Sequence, residues 1–175
     1  MIDSKTAEKE GAIAAAKAMC VAARTAPKTK GMDFMDTGIL TGEELERLAL
    51  AMEEIADAEG MDFLRRDAAN VRASQAVVLF AHKNVARGLN EGCRYCGFDD
   101  CADCMKKGGR CVYIGIDLGI AMGAAAAVAG DLKVDSRIMF SVGRGAQKMG
   151  LFPESCMLFG MPISVSGKSP YFDRK

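Results

Sequence analysis

The chain has 175 residues, of which 50% are hydrophobic and 26% are charged, as is ordinary for one globular domain. Its 23 basic and 23 acidic side chains cancel, so it lacks the basic excess of proteins that bind nucleic acid through phosphates. The N-terminal segment carries acids and lysines ahead of any apolar stretch, unlike a signal peptide. We therefore expect one cytoplasmic domain, residues 1–175, that binds neither nucleic acid nor a membrane.

The first part of the chain predicts a helix, a strand and a second helix. Ser4 to Arg24 is rich in alanine and ends at a segment with proline and glycine, which indicates a helix and its end. Asp36 to Leu40 suits a short strand. Thr41 is then the predicted N-cap of the next helix, with Glu44 completing a capping box. One apolar face of that helix is formed by residues at helical spacing: Leu45, Leu48, Met52 and Ile55.

The remaining elements alternate between helix and strand. Asp62 to Arg72 predicts a helix, and Ala76 to Ala81 is apolar on both faces, as in a central strand covered by helices. Later come a predicted strand at Arg137 to Val142, a helix near Arg144 to Met149 and a strand within Cys156 to Val165. The expected fold class is therefore α+β, a layered sheet with helices on both faces.

Between these elements, Tyr113 to Ala129 could be mistaken for a membrane span. It is slightly short, contains Asp117, and is dominated by alanine and glycine rather than leucine, which favours a buried helix of a soluble protein. Glycines at a four-residue spacing form a flat stripe against which another backbone can pack closely: Gly115, Gly119 and Gly123.

The cysteines point to the chemistry. The chain has seven, and five of them fall between positions 93 and 111. In a reducing compartment, clustered thiols indicate metal binding or catalysis rather than disulfides. Cys20 and Cys156 stand apart and are more simply explained as small buried hydrophobic side chains. We interpret residues 89–111 as a cysteine-rich, metal-binding insertion within the domain.

The spacing leaves open which four cysteines bind. C-x2-C-x4-C with a distant fourth cysteine selects Cys93, Cys96, Cys101 and Cys111 and leaves Cys104 spare. The alternative, centred on Cys96, Cys101 and Cys104, has the spacing of plant-type [2Fe–2S] proteins. Zinc knuckles usually separate their pairs of ligands by a dozen or more residues, so the short segment favours an iron–sulfur cluster over structural zinc.

Several passages resemble a known family: GCRYCGFDDCADC, YIGIDLGIAMG and ISVSGKSPYFDRK, with AARTAPKTKG near the start. They are similar to uncharacterised prokaryotic proteins described as containing a ferredoxin domain. The motif also resembles NCGxCGxxxC with a later cysteine, the cluster motif of corrinoid iron–sulfur proteins. That resemblance implies [4Fe–4S] ligands at Cys93, Cys96, Cys101 and Cys111. Departures from it, which keep the choice of ligands open, are Gly92, Arg94 and the additional Cys104.

A second resemblance, to the FMN-dependent nitroreductase fold, lies outside the cysteines. It is carried by an AR-x-AP-type turn at Ala23 to Pro27, a "GL" turn at Gly150 to Leu151 and a "G-x-P" strand at Gly160 to Pro162. It implies a homodimer with FMN at the subunit interface, although the basic R-x-S-x-R start of that family is absent here. Candidates to bind the flavin phosphate, or else members of a solvated loop, are Arg24, Lys28 and Lys30.

Together these patterns predict an iron–sulfur electron-transfer or redox protein. In one version it is a flavin-linked reductase of anaerobic metabolism. We expect its partner to be a redox protein or a small-molecule substrate. The alternative is a non-enzymatic binding or assembly module stabilised by a cluster or by zinc. Redox activity separates the two, because zinc has no accessible second oxidation state. The single histidine, His82, offers little basis for a hydrolase triad and is expected to be packed and hydrogen-bonded.

Overall fold

A computed structural model describes residues 1–171 of the chain. Its helices are α1 (Ser4–Thr25), α2 (Glu43–Glu59), α3 (Phe63–Arg72), α4 (Cys101–Lys106), α5 (Tyr113–Asp131) and α6 (Phe140–Lys148). Its strands are β1 (Met35–Thr41), β2 (Ala76–Lys83), β3 (Asp135–Ser136) and β4 (Ser155–Ser164). Two short 3-10 helices lie at Thr29–Gly31 and Asn90–Gly92.

The strands form one sheet in the order β1-β2-β4-β3, with every neighbouring pair antiparallel. All residues of β2 except Lys83 are buried, which confirms the predicted central strand. The register between β2 and β4 slips at the end of β2, because His82 lies opposite Met157 while Lys83 lies opposite Ser155. This β-bulge leaves Cys156 without a partner on β2 and bends the sheet locally.

Helices cover both faces of this sheet. Val78 and Phe80 of β2 pack with α1 and α5 on one face, whereas Val77 and Leu79 pack with α2, α3 and α6 on the other. This alternation follows from the two-residue period of a strand. The expected α+β layered fold with helices on both faces is confirmed.

The predicted start of α2 is wrong by one residue. The N-cap is Gly42, whose φ of 58° lies in the left-handed region that favours glycine. Half of the capping box forms nevertheless, because the backbone N–H of Thr41 donates to the Glu44 carboxylate at 3.2 Å.

The strand predicted at Arg137 to Val142 is also wrong. One isolated bridge joins Met139 to Gly160, and α6 begins at the next residue, Phe140. Helix α6 lies directly on β4: a Cβ atom built on Gly160 would come within 2.1 Å of the Val142 side chain. Met139 and Val142 are buried by this packing, whereas Ile138 and Phe140 are exposed.

Helix α5 packs into the core beside α1, as predicted for Tyr113 to Ala129. It is long and apolar enough to cross a membrane by length and composition, yet one side is fully buried in the sheet-facing core through Ile114, Leu118, Ala121, Ala125 and Ala129. The glycine stripe, in contrast, faces outward. Cβ atoms built on its members would meet nothing within 4 Å: Gly115, Gly119 and Gly123. The backbone expected to pack against the stripe is therefore not one of the elements described here.

Candidate metal centre

The cysteine segment connects β2 to α5 through tight turns and the short helix α4. Asp100 caps α4, because its carboxylate accepts a hydrogen bond from the backbone N–H of Asp103 at 2.7 Å. Gly97 and Arg94 both have positive φ values, 82° and 53°. The left-handed conformation at Arg94 shows that the backbone here has the shape glycine favours, although the glycine of the related motif is missing.

Four cysteines line a single cavity in this segment: Cys93, Cys96, Cys101 and Cys111. The lining of this cavity also includes aromatic side chains, among them Phe98 and Tyr113. Soft anionic thiolates in sets of four are the ligands that iron–sulfur clusters require.

Cys104 is brought into the same segment but does not line this cavity. Its side chain is buried, and its sulfur lies 2.9 Å from the position of a Cβ atom built on Gly109. Burial raises the pKa of the Cys104 thiol to about 11, and the neighbouring Cys96 sulfur raises it as well. The sulfurs of Cys111 and Cys101 raise the pKa further, so Cys104 lies near three of the four cysteines that line the cavity.

Among residues 1–171, no three His, Cys, Asp or Glu side chains come close enough together to hold one metal ion. The four cysteines therefore line one cavity without forming such a close set.

Arg87 adds a positive charge to the lining of the cysteine cavity. It is only 1% exposed and lines the cavity together with the four cysteines. Its Nη2 group donates to the Oδ2 atom of Asp117 and to the Nε2 atom of His82, both at 2.6 Å. Its buried Nε–H has no hydrogen-bond partner among the residues described. A cluster would supply sulfur acceptors for such a donor, so the residues present fit the group.

Asp117 anchors this arginine to the rest of the fold. Its second oxygen, Oδ1, accepts hydrogen bonds from the backbone N–H of Thr29 at 3.0 Å and from the Thr29 hydroxyl at 2.8 Å. Burial raises the pKa of Asp117, but the bonds from Thr29 and Arg87 outweigh it and hold the pKa below its ordinary value. Asp117 is therefore ionised and balances the charge of Arg87.

His82 is the third member of the network and is neutral. Its Nδ1 atom lies 2.7 Å from the carbonyl oxygen of Lys83, which can only accept, so Nδ1 carries the proton and Nε2 accepts from Arg87. Burial lowers the pKa of His82, and the charge of Arg87 lowers it further. The prediction of a packed, hydrogen-bonded histidine is confirmed.

Sequence reasoning missed Arg87 and Asp117 as site residues. Asp117 itself could have indicated this site, because a buried acidic side chain in an apolar helix requires a charged or hydrogen-bonding partner. Arg87 lies in an irregular connection where no periodicity indicates burial.

Arg24 has its own partners within the fold. Its guanidinium donates to both carboxylate oxygens of Asp33 and to the carbonyl oxygen of Met35. These bonds tie the C-terminal end of α1 to β1. Binding of a flavin phosphate by Arg24 stays a prediction, and it requires the guanidinium to share or leave Asp33.

Lys28 and Lys30 lie in the loop after α1. The Lys28 ammonium donates to the carbonyl oxygens of Arg24 at 2.6 Å and Ala26 at 2.9 Å, so it closes the end of the helix. Lys30 is exposed and has a φ of 58°. The three predicted phosphate ligands therefore lie at the end of α1 and in the loop that follows it. Two of them, Arg24 and Lys28, already have partners within the chain.

Solved structures with the same fold are nitroreductases and related oxidoreductases. Nitroreductase A from Vibrio parahaemolyticus is 13% identical, with 93% of this chain and 61% of that chain covered and a TM-score of 0.58. The NADPH:FMN oxidoreductase from Vibrio harveyi, complexed with NAD+, is 12% identical over 93% of this chain and 63% of that chain, also at 0.58. A nitroreductase-like family protein from Bacillus cereus is 12% identical, with 93% of this chain and 79% of that chain covered and a TM-score of 0.56. The chain spans about 60% of the length of the two Vibrio proteins, and these identities establish the fold alone.

A relative with much higher identity comes from Archaeoglobus fulgidus. This protein, described only as uncharacterized, is 41% identical over 99% of the present chain and 97% of its own length. Residues 107–174 match the family described as "Uncharacterized protein containing a ferredoxin domain (DUF2148)". The match includes Cys111 and the segment ISVSGKSPYF, whereas the final residues 172–175 of the motif quoted above lie outside the described structure. The chain therefore has a nitroreductase-like fold and belongs to the family of uncharacterized proteins containing a ferredoxin domain.

Proposed function

We propose that this protein is an iron–sulfur redox protein with a [4Fe–4S] cluster bound by Cys93, Cys96, Cys101 and Cys111. The observation that carries the proposal is the single cavity lined by these four thiols and by the buried Arg87. The ferredoxin domain of the family and the oxidoreductases that share the fold are consistent with redox chemistry.

The protein's own residues would hold, shield and tune this centre. When bound, a cluster of this type supplies one-electron chemistry. The four cysteines would hold it between the loop after β2 and the start of α5. The buried charge of Arg87 favours the more negative, reduced state, so it raises the reduction potential. Asp117 partly offsets that charge and fixes the guanidinium in place.

Flavin binding and dimerisation extend the proposal. The Vibrio harveyi protein is an FMN oxidoreductase, and a similar flavin here would place its phosphate near Arg24, Lys28 and Lys30. The outward glycine stripe of α5 is flanked by Ile116 and Ile120, each 42% exposed. A second copy packed on this face would cover it and create the subunit interface. We place this dimer in the cytoplasm.

Anaerobic purification followed by absorbance and metal analysis tests the function. A broad band near ~400 nm that bleaches with dithionite, with roughly four irons per chain, is the expected result. Additional peaks of oxidised flavin would support the reductase version. A colourless protein with one zinc and no iron would overturn the redox function and leave the alternative, a metal-stabilised binding or assembly module.

A further inference from the structure

A cavity of about 370 Å³ lies between helix α6 and the strand β4. The helix contributes Phe140, Arg144 and Gln147, which share one face because they are four and three residues apart. The strand contributes the four residues from Cys156 to Phe159. None of these residues is a predicted metal or flavin ligand, and the volume lies within the range of small-molecule sites.

This cavity is present because the outer side of β4 is only partly paired. β3 pairs with β4 at Ile163 and Ser164, and one isolated bridge joins Met139 to Gly160. The inner side of β4 pairs with β2. Among the strands of residues 1–171, none pairs with the outer side of residues 156–159. Helix α6 flanks this part of the strand instead and leaves a concave site between the two elements.

The lining of the cavity is positively charged. Arg110 and Arg144 both line it, and no acidic side chain of residues 1–171 does so. Arg144 donates to the Glu59 carboxylate at 2.7 Å, and its guanidinium carbon lies 5.9 Å from the centroid of the Phe140 ring. Arg110 is exposed and forms no hydrogen bond or ion pair with any other residue of the described chain. One positive charge in the lining is therefore unbalanced, which favours an anionic ligand.

The Cys156 thiol lies close to this unbalanced charge. Burial raises the pKa of Cys156, and the charge of Arg110 acts in the opposite direction. Cys156 is half-buried, and the β-bulge leaves it without a partner on β2. Both side chains line the cavity, so a ligand bound to Arg110 would also cover the Cys156 thiol.

The rest of the lining determines the shape of the ligand. It is apolar along the strand, at Met157, Leu158 and Phe159. The rings of Phe140 and Phe159 have centroids 6.5 Å apart and are inclined at 64°. Because these ring faces are not parallel, they cannot stack on both sides of a flat molecule. A flexible aliphatic chain therefore suits this wall better than an aromatic ring.

We infer that this cavity binds an organic carboxylate with an aliphatic tail. A guanidinium binds a planar carboxylate through two parallel hydrogen bonds, and one unbalanced charge matches a monoanion rather than a phosphate dianion. Arg110 would bind the carboxylate, the side-chain amide of Gln147 would donate a further hydrogen bond, and the tail would lie along Met157 to Phe159. This site goes beyond the proposed redox function, because binding here requires no electron transfer.

Hexanoate is the probe, and hexanamide is its neutral analogue of the same length. Their affinities for the anaerobically purified protein are measured by isothermal titration calorimetry. We expect saturable binding of hexanoate alone, and roughly fivefold to tenfold weaker binding in Arg110→Gln. Lys106→Gln is the matched control, because it removes a positive charge from the same segment but lies outside the cavity. Iron content is measured in both variants, since Arg110 directly precedes the predicted ligand Cys111.

Alkylation by iodoacetamide then locates the bound ligand. We expect saturating hexanoate to slow alkylation of Cys156, measured by peptide mass spectrometry, and to leave the rate at the half-buried Cys20 unchanged. Should Arg110→Gln lose iron, Arg144→Gln provides the second test, with weaker binding as the expected result. The inference is overturned by absent saturable binding, by equal binding of hexanamide, by equal affinity in Arg110→Gln and Lys106→Gln, or by unprotected Cys156. The proposed redox function would stand in each of these cases.

Discussion

The guanidinium of Arg87 lies between Asp117 and His82 and donates a 2.6 Å hydrogen bond to each. It therefore connects the strand that precedes the cysteine segment with the helix that follows it. Because both ends of the segment meet at one buried cation, the geometry of the cysteine cavity depends on this contact as well as on the cysteines.

Removing only the cation should destabilise the protein strongly. Arg87→Met leaves the buried Asp117 carboxylate without its charged partner, and we expect a loss of about 3–5 kcal/mol in the free energy of unfolding. The double variant Arg87→Met with Asp117→Asn should recover much of this loss, because no buried charge remains unpaired. Denaturant titrations of the single and double variants measure these free energies of unfolding. Equal losses in both would show that the ion pair is not what holds the segment.

His82 should make stability depend on pH. Because burial lowers its pKa in the folded state, the unfolded chain binds a proton more readily below about pH 6.5. The free energy of unfolding should then fall as the pH falls from about 7.5 to about 5.5, by at most about 1.4 kcal/mol per pH unit. His82→Gln keeps an acceptor for Arg87 but cannot titrate, so its stability should be nearly constant over this interval. A slope that survives the substitution would assign the effect to other groups.

We expect four of the five clustered cysteines to bind the cluster and Cys104 not to bind it. Cys96→Ser replaces a cavity-lining thiol, and we expect loss of iron and of the visible absorption. Cys104→Ser should retain roughly four irons, because this thiol lies outside the lining of the cysteine cavity. Iron and sulfide assays on both variants decide this, with Cys20→Ser as a control far from the segment in sequence. Loss of iron in Cys104→Ser would favour the plant-type set of ligands instead.

The outward glycine stripe should control the oligomeric state. Gly119→Leu fits the single chain, because a Cβ atom at this position would meet nothing within 4 Å, but its bulk should prevent close approach of a second copy. We expect a dimer for the wild type and a monomer for the variant by sedimentation velocity. Gly11→Leu on α1 is the matched control, since position 11 is equally open. A dimer that persists in Gly119→Leu would place the interface elsewhere.

Local patterns predicted those parts of the molecule that depend on local sequence. The apolar run Ala76 to Ala81 indicated the central strand, and the spacing of Cys93, Cys96 and Cys101 indicated a shared site. The Arg87 network was missed because its partners are distant along the chain: Asp117 is 30 residues from Arg87 and 88 from Thr29. No single-sequence pattern reports contacts over such separations.

Close packing also hid one element from the sequence. The predicted strand at Arg137 to Val142 is instead a short connection followed by the first turn of α6, and only Met139 and Val142 among its apolar side chains are buried in the core. The glycines that permit this contact, at positions 143 and 160, gave no indication of their role until the facing strand was known.

The contact at Gly143 also has a consequence for the turn after α6. A Cβ atom there would come within 1.9 Å of the Leu158 carbonyl oxygen, so any side chain at this position would force α6 away from β4. The turn that carries Phe152 follows directly from the end of α6 and returns to β4 at Ser155. A substituent at position 143 would therefore also displace this turn relative to the strand that it joins.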